Sequence, residues 1–199
     1  RIEDVATPEG FTRNPALVHR FYNARRLTAR TAVPNAAHAA LAQLESALPG
    51  EVLIVTQNVD DLHERAGSRR VLHMHGALAG ALCAGCGYRW PAPEVMRPGD
   101  PCPACGHPAM RPDIVWFGEM PYYMEEIWDA LRRAEVFAAI GTSGQVYPAA
   151  AFVQDAARAG AHTVELNLEA SSVHTDFAEI RQGRATELVP AWVREILGG

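Results

Sequence analysis

The feature that most constrains this chain is its cysteine pattern. The only four cysteines stand as Cys83-x2-Cys86 and Cys102-x2-Cys105, with fifteen residues between the pairs. Two C-x2-C knuckles at this separation suit tetrahedral thiolate coordination of one Zn2+. A glycine closes each knuckle, in CAGCG and CPACG, and lets the backbone turn tightly around an ion. Two disulfides are the competing reading. The sequence shows no basic-then-apolar signal segment, so a reducing, cytoplasmic location is expected and thiolates are favoured. With every coordination position filled by protein, the metal is expected to be structural rather than catalytic. The Gly- and Pro-rich segment 82–111 reads as a small zinc-binding module inserted into a larger fold and held together by its metal.

Outside that segment, strand and helix alternate. EVLIVT (51–56), EVFAAI (135–140) and HTVELN (162–167) are short apolar runs rich in β-branched residues, the kind that parallel sheets bury. Between them lie helical stretches such as Asn35 to Leu48, with Leu41, Leu44 and Leu48 in phase. The fold class expected is α/β, a Rossmann-like doubly wound parallel sheet. Its first part would span 1–81, with a small helical segment near 8–48, and its second part 112–199. A hydrophobic share of 48% over 199 residues supports a real core. The net charge of −5 counts against a nucleic-acid-binding surface, and no apolar run approaches membrane-spanning length. All 18 basic residues are arginine. Codon bias accounts for that more simply than function does, although it leaves no lysine of the chain's own to be modified.

In doubly wound sheets, ligands bind beyond the carboxyl ends of the strands. The three exits here read QNVDDLH, GTSG and NLEAS, all polar and built from small or amide side chains. Gly141-Thr142-Ser143-Gly144, before a helix expected near Pro148, offers backbone N–H groups to a phosphate. Asn167 and Glu169 suit sugar hydroxyls. Singly these signals are weak, since GTSG is also a common strand-to-helix turn; together they favour a nucleotide site. His73 and His75, in VLHMHGAL, share one strand face or a strand end. His19, His38, His107, His162 and His174 are read as structural. His75 stands apart, because a glycine follows it and the polar loop Gln57-Asn58-Val59-Asp60 precedes it.

TQNVDDLHERAG, then HMHG, then the four cysteines, then IVWFGEMP, then GTS, then NLE are similar in order and spacing to the sirtuin family of NAD-dependent protein lysine deacylases. The resemblance runs from Glu3 to about Leu197. It implies that His75 is the catalytic base, taking a proton from a ribose hydroxyl of NAD. The substrate's acyl oxygen would attack C1′ of the nicotinamide ribose and expel nicotinamide, leading to O-acyl-ADP-ribose and free lysine. It implies further that Gln57 and Asn58 lie near that ribose and Asp60 near the carboxamide. Gly141, Thr142, Ser143, Asn167, Leu168 and Glu169 would line the adenosine side, with Ala185 offering backbone contacts to adenine. Val115 to Glu119, including Phe117 and Gly118, would be an extended segment pairing with the acylated-lysine peptide of another protein by β-augmentation. No membrane or nucleic-acid partner is expected.

Asn14-Pro15 makes a good N-cap and first turn for the helix containing FYNARR (21–26). At about 100° per residue, Leu17, Phe21, Ala24 and Thr28 form one buried stripe. Arg25 falls at its edge, and Arg26, roughly opposite Leu17, is expected in solvent. Arg25 then either points inward or pairs with an internal acid. Tyr22 and Arg25 at i, i+3 resemble the Y-x-x-R of class III sirtuins, which remove succinyl and malonyl groups. A guanidinium can hold the distal carboxylate bidentately and a phenol can add a hydrogen bond. Because bacterial members of the class also deacetylate, a dual deacylase is expected.

The sequence departs from the family in one respect. It contains no Gly-rich strand–loop–helix unit ahead of these motifs, where sirtuins cradle the cofactor phosphates. This stretch alone is therefore expected to bind NAD poorly and to be inactive by itself. A non-catalytic zinc-ribbon or nucleotide-binding adaptor and a protein ADP-ribosyltransferase are the alternative functions.

Overall fold

The computed structural model describes residues 1–198; Gly199, the last residue of the expected second part, lies outside the described residues. After a 3-10 turn at Ile2–Asp4, helices α1 (Pro8–Arg13) and α2 (Pro15–Thr31) start in the same way. Thr7 Oγ1 accepts the Gly10 N–H and Asn14 Oδ1 accepts the Leu17 N–H, each at 3.0 Å. Proline follows each cap, where its missing N–H costs nothing. Helix α3 (Ala36–Ala47) is capped by Asn35, whose Oδ1 accepts from the N–H groups of Ala37 and His38.

The chain continues through β1 (Ile54–Thr56), α4 (Leu62–Arg65), β2 (Val71–His73), β3 (Gly76–Cys83), β4 (Arg89–Pro91) and β5 (Met110–Ile114). It ends with α5 (Met124–Arg133), β6 (Val136–Ile140), α6 (Phe152–Arg158), β7 (His162–Asn167), β8 (Glu179–Gln182) and α7 (Ala185–Ile196), with 3-10 turns at Ala149–Ala151 and His174–Asp176. Of the apolar run 51–56, only the last three residues form a strand, because its partner β2 is itself three residues long.

Two compact units result. One comprises residues 1–33, 55–62 and 71–123. Its antiparallel sheet has the order β4-β3-β5, with Ala81 opposite Trp90 and Cys83 opposite Met110. Ala6, Val18, Tyr22, Leu78, Ile114 and Trp116 form one core; Ala81, Met96 and Met110 form another. The expected module boundaries at 81/82 and 111/112 fall inside β3 and β5, so the cysteine-bearing segment continues a sheet rather than standing apart from it.

The other unit comprises residues 34–54, 63–70 and those from 124 onward. Its sheet β6-β7-β8 is parallel, running from Val136 opposite His162 to Asn167 opposite Gln182. Parallel neighbours need a crossover, and α6 supplies it between β6 and β7. Val164 and Leu166 of the central strand pack with Leu41 and Leu44 of α3 and with Val189, Trp192 and Val193 of α7. This is the mixed α/β, Rossmann-like architecture with a parallel sheet that the strand–helix alternation implies. No helix among the described residues is long and apolar enough to cross a membrane.

Candidate active site

His75 follows the end of β2 and precedes the first residue of β3. Gly76 holds this corner. Its φ is +81°, and a Cβ there would lie 2.1 Å from the Asp113 carbonyl oxygen, so only glycine lets β5 approach. The Val115 N–H donates to the His75 carbonyl at 2.9 Å and completes the corner. Burial pulls the imidazole pKa below its ordinary value, partly opposed by a hydrogen bond to the Gln57 backbone. His75 is therefore neutral near pH 7, with the ring nitrogen turned away from that bond available as an acceptor.

The loop after β1 carries Gln57, Asn58 and Asp60. It is pinned to β3 by the Leu78 N–H donating to Val59 O at 2.8 Å, and Asp60 Oδ1 accepts the Leu62 N–H. His73, the last residue of β2, hydrogen-bonds Asn58 O through Nδ1 at 3.2 Å. Within this unit, Gln57, Asn58, Asp60, His75, Tyr22 and Arg25 all line one cavity of about 720 Å3.

Helix α2 corrects the expected helical wheel. Its buried residues are Val18, His19, Tyr22 and Arg26, and Leu27 is 65% exposed. Of the stripe, Phe21 is half-buried against the core while Ala24 and Thr28 are exposed, and all three line the cavity together with Arg25. Arg26, expected in solvent, is 5% exposed, and its Nε donates to Leu78 O at 2.9 Å. Side-chain chemistry on a wheel cannot tell a packed face from a cavity-lining face, because both are apolar. Arg25 lies 5.6 Å from the Phe21 ring centroid and forms no ion pair among the described residues, so the internal acid partner is not found. Tyr22 is buried, and its phenol oxygen accepts the Trp116 indole N–H.

The run 115–119 is not extended throughout. Beyond Ile114 it turns at residues 117–119, with Gly118 at φ +89° and the Glu119 N–H donating to Trp116 O. The Phe117 N–H is taken by Ala6 O. The Glu119 carboxylate receives a two-pronged Arg111 guanidinium at 2.6 and 2.9 Å and the Trp116 N–H at 2.8 Å, so it closes the turn rather than facing outward. Phe117 and Met120 are left exposed. Arg111, missed from sequence, and Trp116, inside the run expected to meet the peptide, build this corner, with the guanidinium 3.5 Å from the indole centroid.

In the other unit, Gly141 to Ser143 follow β6, Asn167 ends β7 with Leu168 and Glu169 following it, and Ala185 begins α7 after β8. The Asn167 amide donates to Thr142 O at 2.6 Å and ties two of these exits together. Glu165, also unforeseen, is wholly buried and accepts the Ser171 N–H, anchoring the loop that carries Leu168 and Glu169. Within and just after GTSG, three backbone N–H groups are directed inside the protein. The Gly141 N–H goes to Leu166 O, and those of Gly144 and Gln145 face the hydroxyls of Thr142 and Ser143. Only a 3-10 turn follows Pro148, and α-helix begins at Phe152.

The four cysteine sulfurs lie within 4.8 Å of one another, with Cys83–Cys105 at 3.7 Å and Cys86–Cys102 at 3.8 Å. A tetrahedron with Zn–S bonds of about 2.3 Å has edges of about 3.8 Å, so the sulfurs fit zinc. Backbone N–H groups of Cys86 and Ala104 point at the sulfurs of Cys83 and Cys102. The first of these bonds leads the causes that lower the Cys83 thiol to about 6, which supplies a thiolate near neutrality. Bound there, the metal would cross-link the two knuckles.

A model of the Sir2 family matches residues 1–148. The chain is 55% identical over 202 residues to an NAD-dependent protein deacylase of Salmonella typhimurium, covering 100% of this chain and 74% of that protein. It is 54% identical over 200 residues to one of Caulobacter vibrioides, covering 98% and 84% respectively. Among solved structures, a mutant Sir2 homologue in complex with ADP-ribose superposes with a TM-score of 0.92 at 35% identity, covering 98% of this chain and 80% of that one. A family match over most of the chain, relatives above half identity and a near-identical fold agree: this chain belongs to the Sir2 family.

Proposed function

We propose that this chain is an NAD-dependent protein deacylase, as its relatives are named, acting on acylated lysine side chains of other proteins, with acidic acyl groups among its substrates. The observation that carries the reading is one cavity lined by a neutral imidazole, an amide-and-carboxylate loop, and a tyrosine–arginine pair. NAD, when bound, supplies an electrophilic ribose carbon with nicotinamide as leaving group. His75 accepts the ribose hydroxyl proton at its free ring nitrogen, which burial keeps unprotonated. Gln57 and Asn58 orient that ribose, and Asp60 accepts from the carboxamide. Gly141, Thr142, Ser143, Asn167, Leu168, Glu169 and Ala185 hold the adenosine side.

Arg25 receives the distal carboxylate of a succinyl or malonyl group. Tyr22, its oxygen already accepting from Trp116, donates its own proton to the same carboxylate. Phe117 and Met120, exposed beside the turn, contact the substrate peptide, while Val115 and Gly118 present backbone to it. Nicotinamide release from succinyl-lysine and acetyl-lysine peptides tests this. Arg25→Met is expected to remove most desuccinylation and spare deacetylation. Equal loss of both activities refutes the acyl assignment, and no NAD-dependent release from either peptide refutes the enzyme.

A further inference from the structure

Two side chains of α2 beside the acyl pair point elsewhere. Asn23 and Arg26 follow Tyr22 and Arg25 by one residue each, about 100° further round the axis. Asn23 makes a reciprocal pair with the backbone of Met96: its Nδ2 donates to Met96 O at 2.9 Å and its Oδ1 accepts Met96 N–H at 3.0 Å. Arg26 Nη1 donates to the same Oδ1 at 2.9 Å, Nε holds Leu78 O, and Nη2 lies 3.6 Å from Met96 Sδ. The guanidinium is buried, and no carboxylate pairs with it among the described residues. A buried cation kept without a counterion is costly and is retained here for its hydrogen bonds.

Both anchors matter to the site. Leu78 lines the cavity. Met96 is 1% exposed, packs with Ala81 and Met110, and lies in the stretch that Cys86 and Cys102 close. We infer that Asn23 and Arg26 are positioning residues for acyl selectivity: they lock the rotation of α2 against the cysteine-closed loop and so aim Tyr22 and Arg25 into the cavity.

This inference rests on the acyl reading above. Side chains reach roughly 5–6 Å from a helix axis, so a 10° rotation moves a tip by about 1 Å. Misplacement on that scale can cost about 100-fold in rate. An acetyl group makes no demand on the guanidinium and should be indifferent to the rotation.

The test uses the zinc-loaded full-length protein with Asn23→Leu, Asn23→Asp and Arg25→Met, measuring kcat and KM for succinyl-lysine and acetyl-lysine peptides. Asn23→Leu is expected to lower kcat/KM for the succinyl peptide about tenfold or more, mainly through KM, with the acetyl value within about twofold. Asn23→Asp still accepts from Met96 and Arg26 but cannot donate to Met96 O, and should fall between. Both peptides losing equally, or neither, while Arg25→Met stays selective, overturns the inference. If Arg25→Met itself fails to separate the peptides, the acyl reading falls instead.

The tether is then judged by zinc release to a colorimetric chelator, which needs no acyl substrate. Release should be several-fold faster in Asn23→Leu, because the loop loses its hold on α2; an unchanged rate overturns the tether.

Discussion

The indole N–H of Trp116 donates to the phenol oxygen of Tyr22 at 3.0 Å, with both rings buried. The phenol thus has an acceptor role toward the core and a proton left for the cavity. Burial raises its pKa, outweighing the Trp116 hydrogen bond that lowers it, so it is a donor at neutral pH. Tyr22→Phe leaves the indole N–H buried without an acceptor, which costs about 1–3 kcal/mol of stability. A urea midpoint should record that loss. Desuccinylation should fall more than deacetylation, whereas a parallel fall would mean the phenol serves packing alone.

The Glu119 carboxylate gives an acid-sensitive stability. Burial alone would raise its pKa, but the Arg111 fork and the Trp116 N–H outweigh burial and hold it below the ordinary glutamate range. A folded-state pKa below the unfolded one means the contribution is complete above the ordinary glutamate value. It drains away as pH falls through the lowered one. Glu119→Gln should cost about 3 kcal/mol near neutrality, because Arg111 is left buried without its counter-charge. It should also flatten the acid limb of a stability–pH curve. An unchanged limb would assign the acid sensitivity to other carboxylates.

Much of this was legible in the sequence, for definite reasons. The cysteine spacing encodes a tetrahedron directly, and the sulfurs meet its edges. Asn14, Pro15 and Asn35 mark helix starts because capping is local chemistry. Arg25 lines the cavity as its place on the wheel allows, but Arg26 departs from it, because a wheel phased on Leu17 misses that Val18, Tyr22 and Arg26 carry the packed face. Nothing within α2 reveals that Met96, more than seventy residues away, offers Asn23 a complementary backbone pair. Glu119 looked like a peptide-facing residue because its partner Arg111 meets it only once the chain has turned at Gly118.

Gly76→Ala should be among the most damaging single changes. The added methyl would overlap the Asp113 carbonyl in a positive-φ conformation that alanine resists. Relief requires β3 and β5 to separate where Val115 N–H meets His75 O. A loss of at least ~3 kcal/mol is expected, read as a lower denaturant midpoint or as insoluble protein. Gly87→Ala is the control, with positive φ but open space around it, and should cost only about 1 kcal/mol. Similar losses at both sites would show that conformation, not the close approach, limits Gly76.

His75 predicts the pH dependence of the reaction. Burial disfavours the imidazolium, and the Gln57 backbone bond only partly restores it, so the folded pKa lies below the ordinary 6.5. A base works only when unprotonated. kcat/KM should therefore rise as pH climbs through that lowered value and be level by pH 7. His75→Asn keeps a hydrogen bond to Gln57 within reach but removes the titrating nitrogen. It should lose activity by about 100-fold or more and lose the acid limb with it. An acid limb centred above 6.5 would mean that another group carries the proton. A His75→Asn profile retaining the wild-type limb would remove His75 from the base role altogether.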